Sequence, residues 1–157
     1  VSFSSLSLFN IDREVHIMSK VAVVYWSGTG NTEQMADAVA DGARKAGADV
    51  DVIQAADFNA DKSKDYDGIV FGCPAMGAEV LEESEFDPMF TSVEGSLGGK
   101  KVALFGSYGW GGGAWMTSWE ERCEGDGISL AADSVICNEA PDSDALDSCE
   151  KLGAAVA

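Results

Sequence analysis

An α/β fold with a mostly parallel sheet is predicted for this 157-residue chain by three observations. Short apolar runs recur along it, among them VAVVY at 21–25, GIVFGC at 68–73 and KVALFG at 101–106. Stretches with apolar residues at helical spacing lie between them, and loops rich in glycine or hydroxyls follow all three runs. Runs that are apolar throughout suit strands covered on both faces. Their alternation with helices calls for parallel pairing through right-handed crossovers.

The first strand is predicted over Lys20–Tyr25. Residues 31–46 follow as a helix, with Met35, Ala36, Val39, Ala40 and Ala43 on one stripe and Gly47 as its stop. Val50–Ile53, Gly68–Cys73 and Lys101–Gly106 read as the next three strands. The last is Val135–Cys137, with Leu130–Ala132 as a possible extension. Further helices are predicted over 88–95, where Asp87 caps and Pro88 takes the first position, over 114–124 and over 142–155. Residues 55–67 are too polar to assign.

Composition removes several functional classes. Ten Lys plus Arg stand against 27 Asp plus Glu, a net charge of −17. Nucleic acid and anionic membranes need clustered bases, so neither is an expected partner; basic protein faces are. No apolar run is long enough to span a bilayer. Cys73, Cys123, Cys137 and Cys149 form no C-x-x-C pair and read as cytoplasmic thiols. The one histidine, His16, precedes the predicted domain, which leaves no His-based triad and no His-containing metal site.

Residues 1–17 lack the basic and apolar regions of a signal peptide. Arg13-Glu14-Val15 can be encoded by AGG-GAG-GTN, a ribosome-binding sequence just ahead of a Met18 start codon. We therefore expect 1–17 to be a non-native, disordered leader and 18–157 to be one domain.

The loop SGTGNT, residues 27–32, joins the first strand to the first helix. Such loops lie at the carboxyl edge of a parallel sheet, where α/β folds bind ligands. Free N–H groups and the positive end of the helix dipole point into it, and Ser27, Thr29, Asn31 and Thr32 add side-chain donors. A phosphate suits this neutral nest. The P-loop pattern fails because its lysine is missing, and the dinucleotide pattern G-x-G-x-x-G fails because Glu33 replaces its third glycine. Two more loops converge on the same edge: Cys73-Pro74-Ala75-Met76-Gly77-Ala78-Glu79 and Ser107-Tyr108-Gly109-Trp110-Gly111. Met76 and Trp110 are placed to sandwich a planar ring. Trp115 and Trp119, four residues apart, read as packing.

With YWSGTGNTE, GCPAMG, EVLEESEF, KKVALFGSYGWG and NEAPD in place, the chain resembles the short-chain flavodoxins of anaerobic bacteria over residues 18–157. The resemblance implies a flavodoxin-like three-layer sandwich, a five-stranded parallel sheet in order 2-1-3-4-5, and one noncovalently bound FMN. It implies that Ser27, Gly28, Thr29, Gly30, Asn31 and Thr32 hold the phosphate. Ala75, Met76, Gly77, Ala78 and Glu79 would border the inner ring face and N5, with Glu79 accepting from N3–H. Trp110 would stack on the outer face, and the backbone of Gly109–Gly111, with Tyr108 in the same loop, would meet the pyrimidine oxygens. Ser107 would assist near the ribityl–phosphate end. Two departures stand out: Pro74 sits where some relatives have a serine near the phosphate, and Ala78 replaces a residue that is commonly polar.

The implied function is low-potential single-electron transfer between semiquinone and hydroquinone, with no catalytic residue and no metal. Turning over of the Gly77-Ala78 peptide would serve the first electron. Glu79, Glu82, Glu83 and Glu85 would penalise an anionic reduced flavin. The expected partners of this monomer are oxidoreductases and ferredoxin-linked enzymes with basic docking faces. The alternative is an FMN-dependent NAD(P)H:quinone reductase of the same fold, but no second nucleotide motif appears. A receiver-type switch needs acids after the first strand, where this chain has Ser27 and Gly28.

Overall fold

The structure, a computed structural model, describes residues 19–77, 79–109 and 111–157. The expected leader at 1–17, Ala78 and Trp110 lie outside these described residues.

Ten elements follow one another: β1 (Lys20–Tyr25), α1 (Asn31–Lys45), β2 (Asp49–Gln54), α2 (Ala60–Ser63), β3 (Gly68–Gly72), α3 (Phe86–Val93), β4 (Lys101–Tyr108), α4 (Ala114–Gly125), β5 (Val135–Asn138) and α5 (Ser143–Val156). The strands form one sheet in the order β2-β1-β3-β4-β5. Every neighbouring pair is parallel, as the alternation of elements requires.

Alternate residues of each strand feed two cores. Ala22, Val24, Ile69, Phe71, Val102 and Leu104 face α3 and α4. Val21, Val23, Val70, Ala103 and Phe105 face α1 and α5. The first core is aromatic: Phe71 meets Phe90 edge to face at 5.1 Å, and Trp119 meets Phe86 at 5.3 Å. Trp115 and Trp119 are buried, as their spacing predicts. Arg122 ties α4 to α3, donating from Nε to Glu94 at 2.9 Å and from a terminal nitrogen to Asp87 at 2.9 Å. Its guanidinium lies 4.9 Å from the Phe90 ring centroid.

Most boundaries agree with the sequence expectation to within one residue, and three readings differ by more. β4 runs two residues beyond Gly106, because Ser107 and Tyr108 pair with Cys137 and Asn138 of β5. Ser107 and Tyr108 are therefore strand residues. Leu130 contributes one isolated bridge, to Val102, instead of a strand over 130–132. α3 begins at Phe86, ahead of the expected Pro88, because a carboxylate four residues earlier caps it: Glu82 Oε1 accepts from the N–H groups of Glu85 and Phe86. Asp87 falls inside the first turn. The polar stretch 55–67 contains a short 3₁₀ turn at Ala55–Asp57 and α2, whose start is capped by Asn59.

Candidate functional site

β1 hands the chain to α1 at the carboxyl rim of the sheet, beside the point where strand order reverses between β1 and β3. The turn depends on Gly30, which caps α1 at φ 95°, a left-handed conformation that glycine adopts without strain. Ser27 Oγ accepts from the N–H groups of Gly30 at 3.1 Å and Glu33 at 3.3 Å. Ser27 thus braces the loop from behind. Gln34 N–H is taken by Gly30 O. That leaves the first-turn N–H groups of Asn31 and Thr32 for an anion. Thr32 is buried, with its hydroxyl 3.4 Å from that of Ser107, and so links the first loop to β4.

The second loop is held at both ends. Cys73 N–H donates to Phe105 O and Ala75 N–H to Ser107 O, which continues the β3–β4 ladder past the end of β3. Met76 and Glu79 close a tight turn, with Glu79 N–H donating to Met76 O at 2.7 Å. Among the described residues of this turn, Glu79 has a left-handed backbone, at φ 54°, whereas Gly77 lies outside that region. Glu82 anchors the far end. It is only 5% exposed, and its carboxylate accepts from the backbone of Ser84, Glu85 and Phe86 and from the Ser84 hydroxyl. Burial works against ionisation, but the Ser84 hydroxyl and the N–H groups of Phe86, Glu85 and Ser84 outweigh it and pull this carboxyl down to about 2. Glu82 is therefore a structural cap, while Glu83 and Glu85 remain exposed as a solvated acidic face.

A cavity of about 540 Å³ opens between these loops. Among the residues expected at the site, it is lined by Gly28, Thr29, Asn31, Pro74, Ala75, Met76, Ser107, Tyr108 and Gly109. Ser27, Gly30 and Thr32 shape it from outside the lining; Gly77, Glu79 and Gly111 also stand outside it. Three further residues complete it: Trp26, Glu139 and Ala140. Glu139 and Ala140 come from the β5–α5 loop. Glu139 N–H donates to Tyr108 O at 2.7 Å, and its backbone is left-handed at φ 56°. The conspicuous stretch NEAPD is the one signal that marks them in the sequence. No Lys, Arg or His is among the lining residues.

Glu79 sits one step away from this lining, beneath Gly111. A side chain at Gly111, which has φ 99°, would collide with the Glu79 carboxylate. Glu79 Oε1 is buried and finds no hydrogen-bond partner among the described residues. An acceptor in that state can be met by water or by an N–H donor from a ligand. Together with the apolar lining from Trp26 to Met76 and the helix N-terminus at one end, this fits a planar ring system carrying an imide N–H and a phosphate tail. Cys73, Cys123 and Cys149 are buried, Cys137 is half-buried, and none is paired. No cluster among the described residues suits a metal ion, and none of their helices is long and apolar enough to cross a membrane.

Comparison with known proteins agrees with this geometry. The chain matches the flavodoxin family over residues 23–153. It is 47% identical to the flavodoxin of Megasphaera elsdenii over 137 residues, which cover 87% of this chain and 98% of that protein. It is also 47% identical to the flavodoxin of Clostridium beijerinckii over 135 residues, covering 86% and 97%. The solution structure of two-electron reduced Megasphaera elsdenii flavodoxin superposes with a TM-score of 0.80 at 48% identity, covering 87% of this chain and 97% of that one. A flavodoxin from the Archaea superposes at 0.76 with 31% identity, covering 87% and 95%. In sequence, sheet order and architecture alike, the chain belongs to the flavodoxin family.

Proposed function

We propose that this FMN-binding electron carrier works as a low-potential one-electron shuttle, with the three loops at the carboxyl rim as its cofactor seat. The carrying observation is the 540 Å³ cavity at the strand-order switch, which ends at the free N–H groups of α1 and has no cation in its lining. FMN, when bound, supplies the reversible one-electron chemistry.

The residues of the chain position and tune it. Asn31 and Thr32 N–H groups, with the Thr29 and Asn31 side chains, hold the phosphate by dipoles. Ser27 keeps the loop in shape, and Ser107 steadies Thr32 near the ribityl end. Ala75 and Met76 would cover one ring face, with Pro74 toward the phosphate end. Trp110, between Gly109 and Gly111, covers the other; this role rests on the sequence and the family resemblance. Glu79 accepts from N3–H. Glu83 and Glu85 add negative charge beside the seat and disfavour a second negative charge on the ring.

By the family resemblance, Gly77 and Ala78 form the peptide that would turn toward N5. A Cβ at Gly77 meets no neighbour within contact range, so Gly77→Val costs little in the conformation described here. Its effect should fall on the turned conformation, which needs glycine's freedom. The expected result is a potential for the first electron lowered by roughly 40 mV per kcal/mol of lost hydrogen bond. Anaerobic redox titration measures it, and an unchanged potential rejects this role.

The 27 acidic residues against 10 basic ones steer encounters with redox proteins that have basic docking faces, oxidoreductases and ferredoxin-linked enzymes among them. We place this monomer in the cytoplasm on the strength of its free thiols. The reading as a whole is tested by an absorption spectrum during anaerobic titration of the purified protein. Yellow protein that bleaches in two separate one-electron stages supports it. Colourless protein that does not take up FMN at micromolar concentration overturns it.

A further inference from the structure

Trp26 lines two cavities. One is the cofactor seat; the other, of about 330 Å³, is also lined by Tyr25, Ser27, Glu33, Gln54 and Glu85. It too lies at the carboxyl rim, since Tyr25 and Gln54 end β1 and β2. No Lys, Arg or His is among its lining residues. Both carboxylates stand on pinned backbone: Glu33 N–H donates to Ser27 Oγ at 3.3 Å, and Glu85 N–H donates to the Glu82 carboxylate at 2.7 Å. Among the described residues, neither Glu33 nor Glu85 takes part in an ion pair, whereas Asp41, Asp61, Asp87, Glu94 and Glu150 do. Tyr25 adds an observation separate from charge. It is only 9% exposed, yet its hydroxyl makes no hydrogen bond among the described residues. Burial, then the carboxylates of Glu33 and Asp37, push that hydroxyl's pKa up. A phenol buried so deeply in a cavity wall is completed by a partner from outside the fold.

The chemistry of the walls selects the occupant. Two carboxylates, a phenol and an amide beside an indole call for a cation with several donors. No cluster among the described residues suits a metal ion. The volume lies at the lower end of the roughly 300–1,000 Å³ of organic-ligand sites, far more than a bare ion fills. A guanidinium fits better than an ammonium, because its planar fork bridges carboxylates and stacks on an aromatic face. The chain's own cations are poorly placed to supply it: Lys20 and Lys101 open β1 and β4, and Arg44 and Lys45 close α1, all at the opposite edge of the sheet. We propose that this cavity is a socket for an arginine side chain presented by the basic face of a redox partner. The proposal rests on the reading of the chain as an electron carrier for such partners and names their point of attachment. The place is apt. The six-membered ring of Trp26 lies against Gly28 of the cofactor seat, where an added Cβ would come within 3.1 Å of it. An arginine held beside Trp26 therefore sets its parent protein next to the cofactor.

The test is an NMR titration of the full chain, loaded with FMN and as apoprotein, at constant ionic strength. The probes are the capped tripeptides acetyl-Gly-Arg-Gly-amide and acetyl-Gly-Lys-Gly-amide, and free arginine. The arginine tripeptide should give saturable shifts at the Trp26 indole N–H and at the backbone of Ser27, Gln54 and Glu85. It should bind at least fivefold more tightly than the lysine tripeptide, because only a guanidinium can bridge and stack. Glu33→Gln and Glu85→Gln should each weaken it about fivefold, the upper range of one exposed ion pair. Glu121→Gln, an exposed acid on α4, should leave it unchanged. Equal affinity for the two tripeptides, or shifts spread over the acidic surface without saturation, would reduce the socket to diffuse charge and overturn the proposal. Free arginine bound as tightly as its tripeptide would make the cavity a site for a small molecule, which also overturns it. Failure of the chain to take up FMN rejects the cofactor reading instead, and the apoprotein titration still decides the present one.

Discussion

Replacing Gly42 or Gly153 by alanine should destabilise the protein by about 3 kcal/mol each, although the same change in an open helix normally gains up to about 1 kcal/mol. These residues lie where α1 and α5 cross. A Cβ on Gly42 would run into the carbonyl of Glu150, and one on Gly153 would run into the carbonyl of Val39 and the N–H of Ala43. Each glycine thus lets the other helix's backbone approach, and backbone cannot rotate aside as a side chain can. The two substitutions press on the same crossing, so their combined cost should differ from the sum. Calorimetry should show a melting temperature lowered by about 10 °C for either variant. Gly125→Ala, in the last turn of α4 with open space around it, is the control and should change stability by less than about 1 kcal/mol. If Gly42→Ala and Gly153→Ala behave like that control, the crossing is looser than described.

Glu82→Ala should cost about 3 kcal/mol at pH 7, because it strips a buried acceptor from three N–H groups at once. The effect has a definite pH signature. The Glu82 carboxyl lies at about 2 in the folded chain, below its usual 4.5. A depressed carboxyl contributes stability that is fully present above 4.5 and is lost as pH falls toward 2. The isosteric Glu82→Gln variant lacks this contribution at every pH. The stability gap between wild type and Glu82→Gln should therefore be widest near neutrality and close progressively below pH 4.5. Denaturant unfolding across that range measures the gap, and a gap that stays constant down to pH 3 would show that another group carries the acid response. Because Glu82 fixes the end of the loop that carries Met76 and Glu79, both variants should also loosen FMN binding.

The parts legible in the sequence are those set by local rules. β1 and β3 are apolar throughout because both their faces are covered. The SGTGNT turn is legible because Gly30 must take a left-handed backbone just where a helix begins. Trp115 and Trp119, one helical turn apart, announce a buried face. What escaped reading depends on contacts that no familiar local pattern announces. The start of α3 is set by Glu82, whose role as cap shows only when the chain folds back on it; Asp87 and Pro88 formed a more familiar but wrong start. The length of β4 is decided by pairing with β5, a four-residue edge strand with little apolar pattern of its own. Glu139 and Ala140 reach the cavity because that pairing delivers the β5–α5 loop to the rim. The acids from Glu79 to Glu85 look alike in sequence, yet they divide into a half-buried carboxylate with one oxygen unpartnered among the described residues, a cap and two solvated charges.

The absence of cations from the cavity lining also shapes what the rest of the surface is free to do. An anion held by backbone N–H groups sees partners that mobile ions neither neutralise nor displace readily, since screening acts on net charge. The local hold on the phosphate thereby rests on dipoles and involves no ion pair that salt would weaken. Exterior charges can be exchanged one after another to suit a new docking partner while the pigment stays in place. Recognition and retention can drift independently in such a molecule.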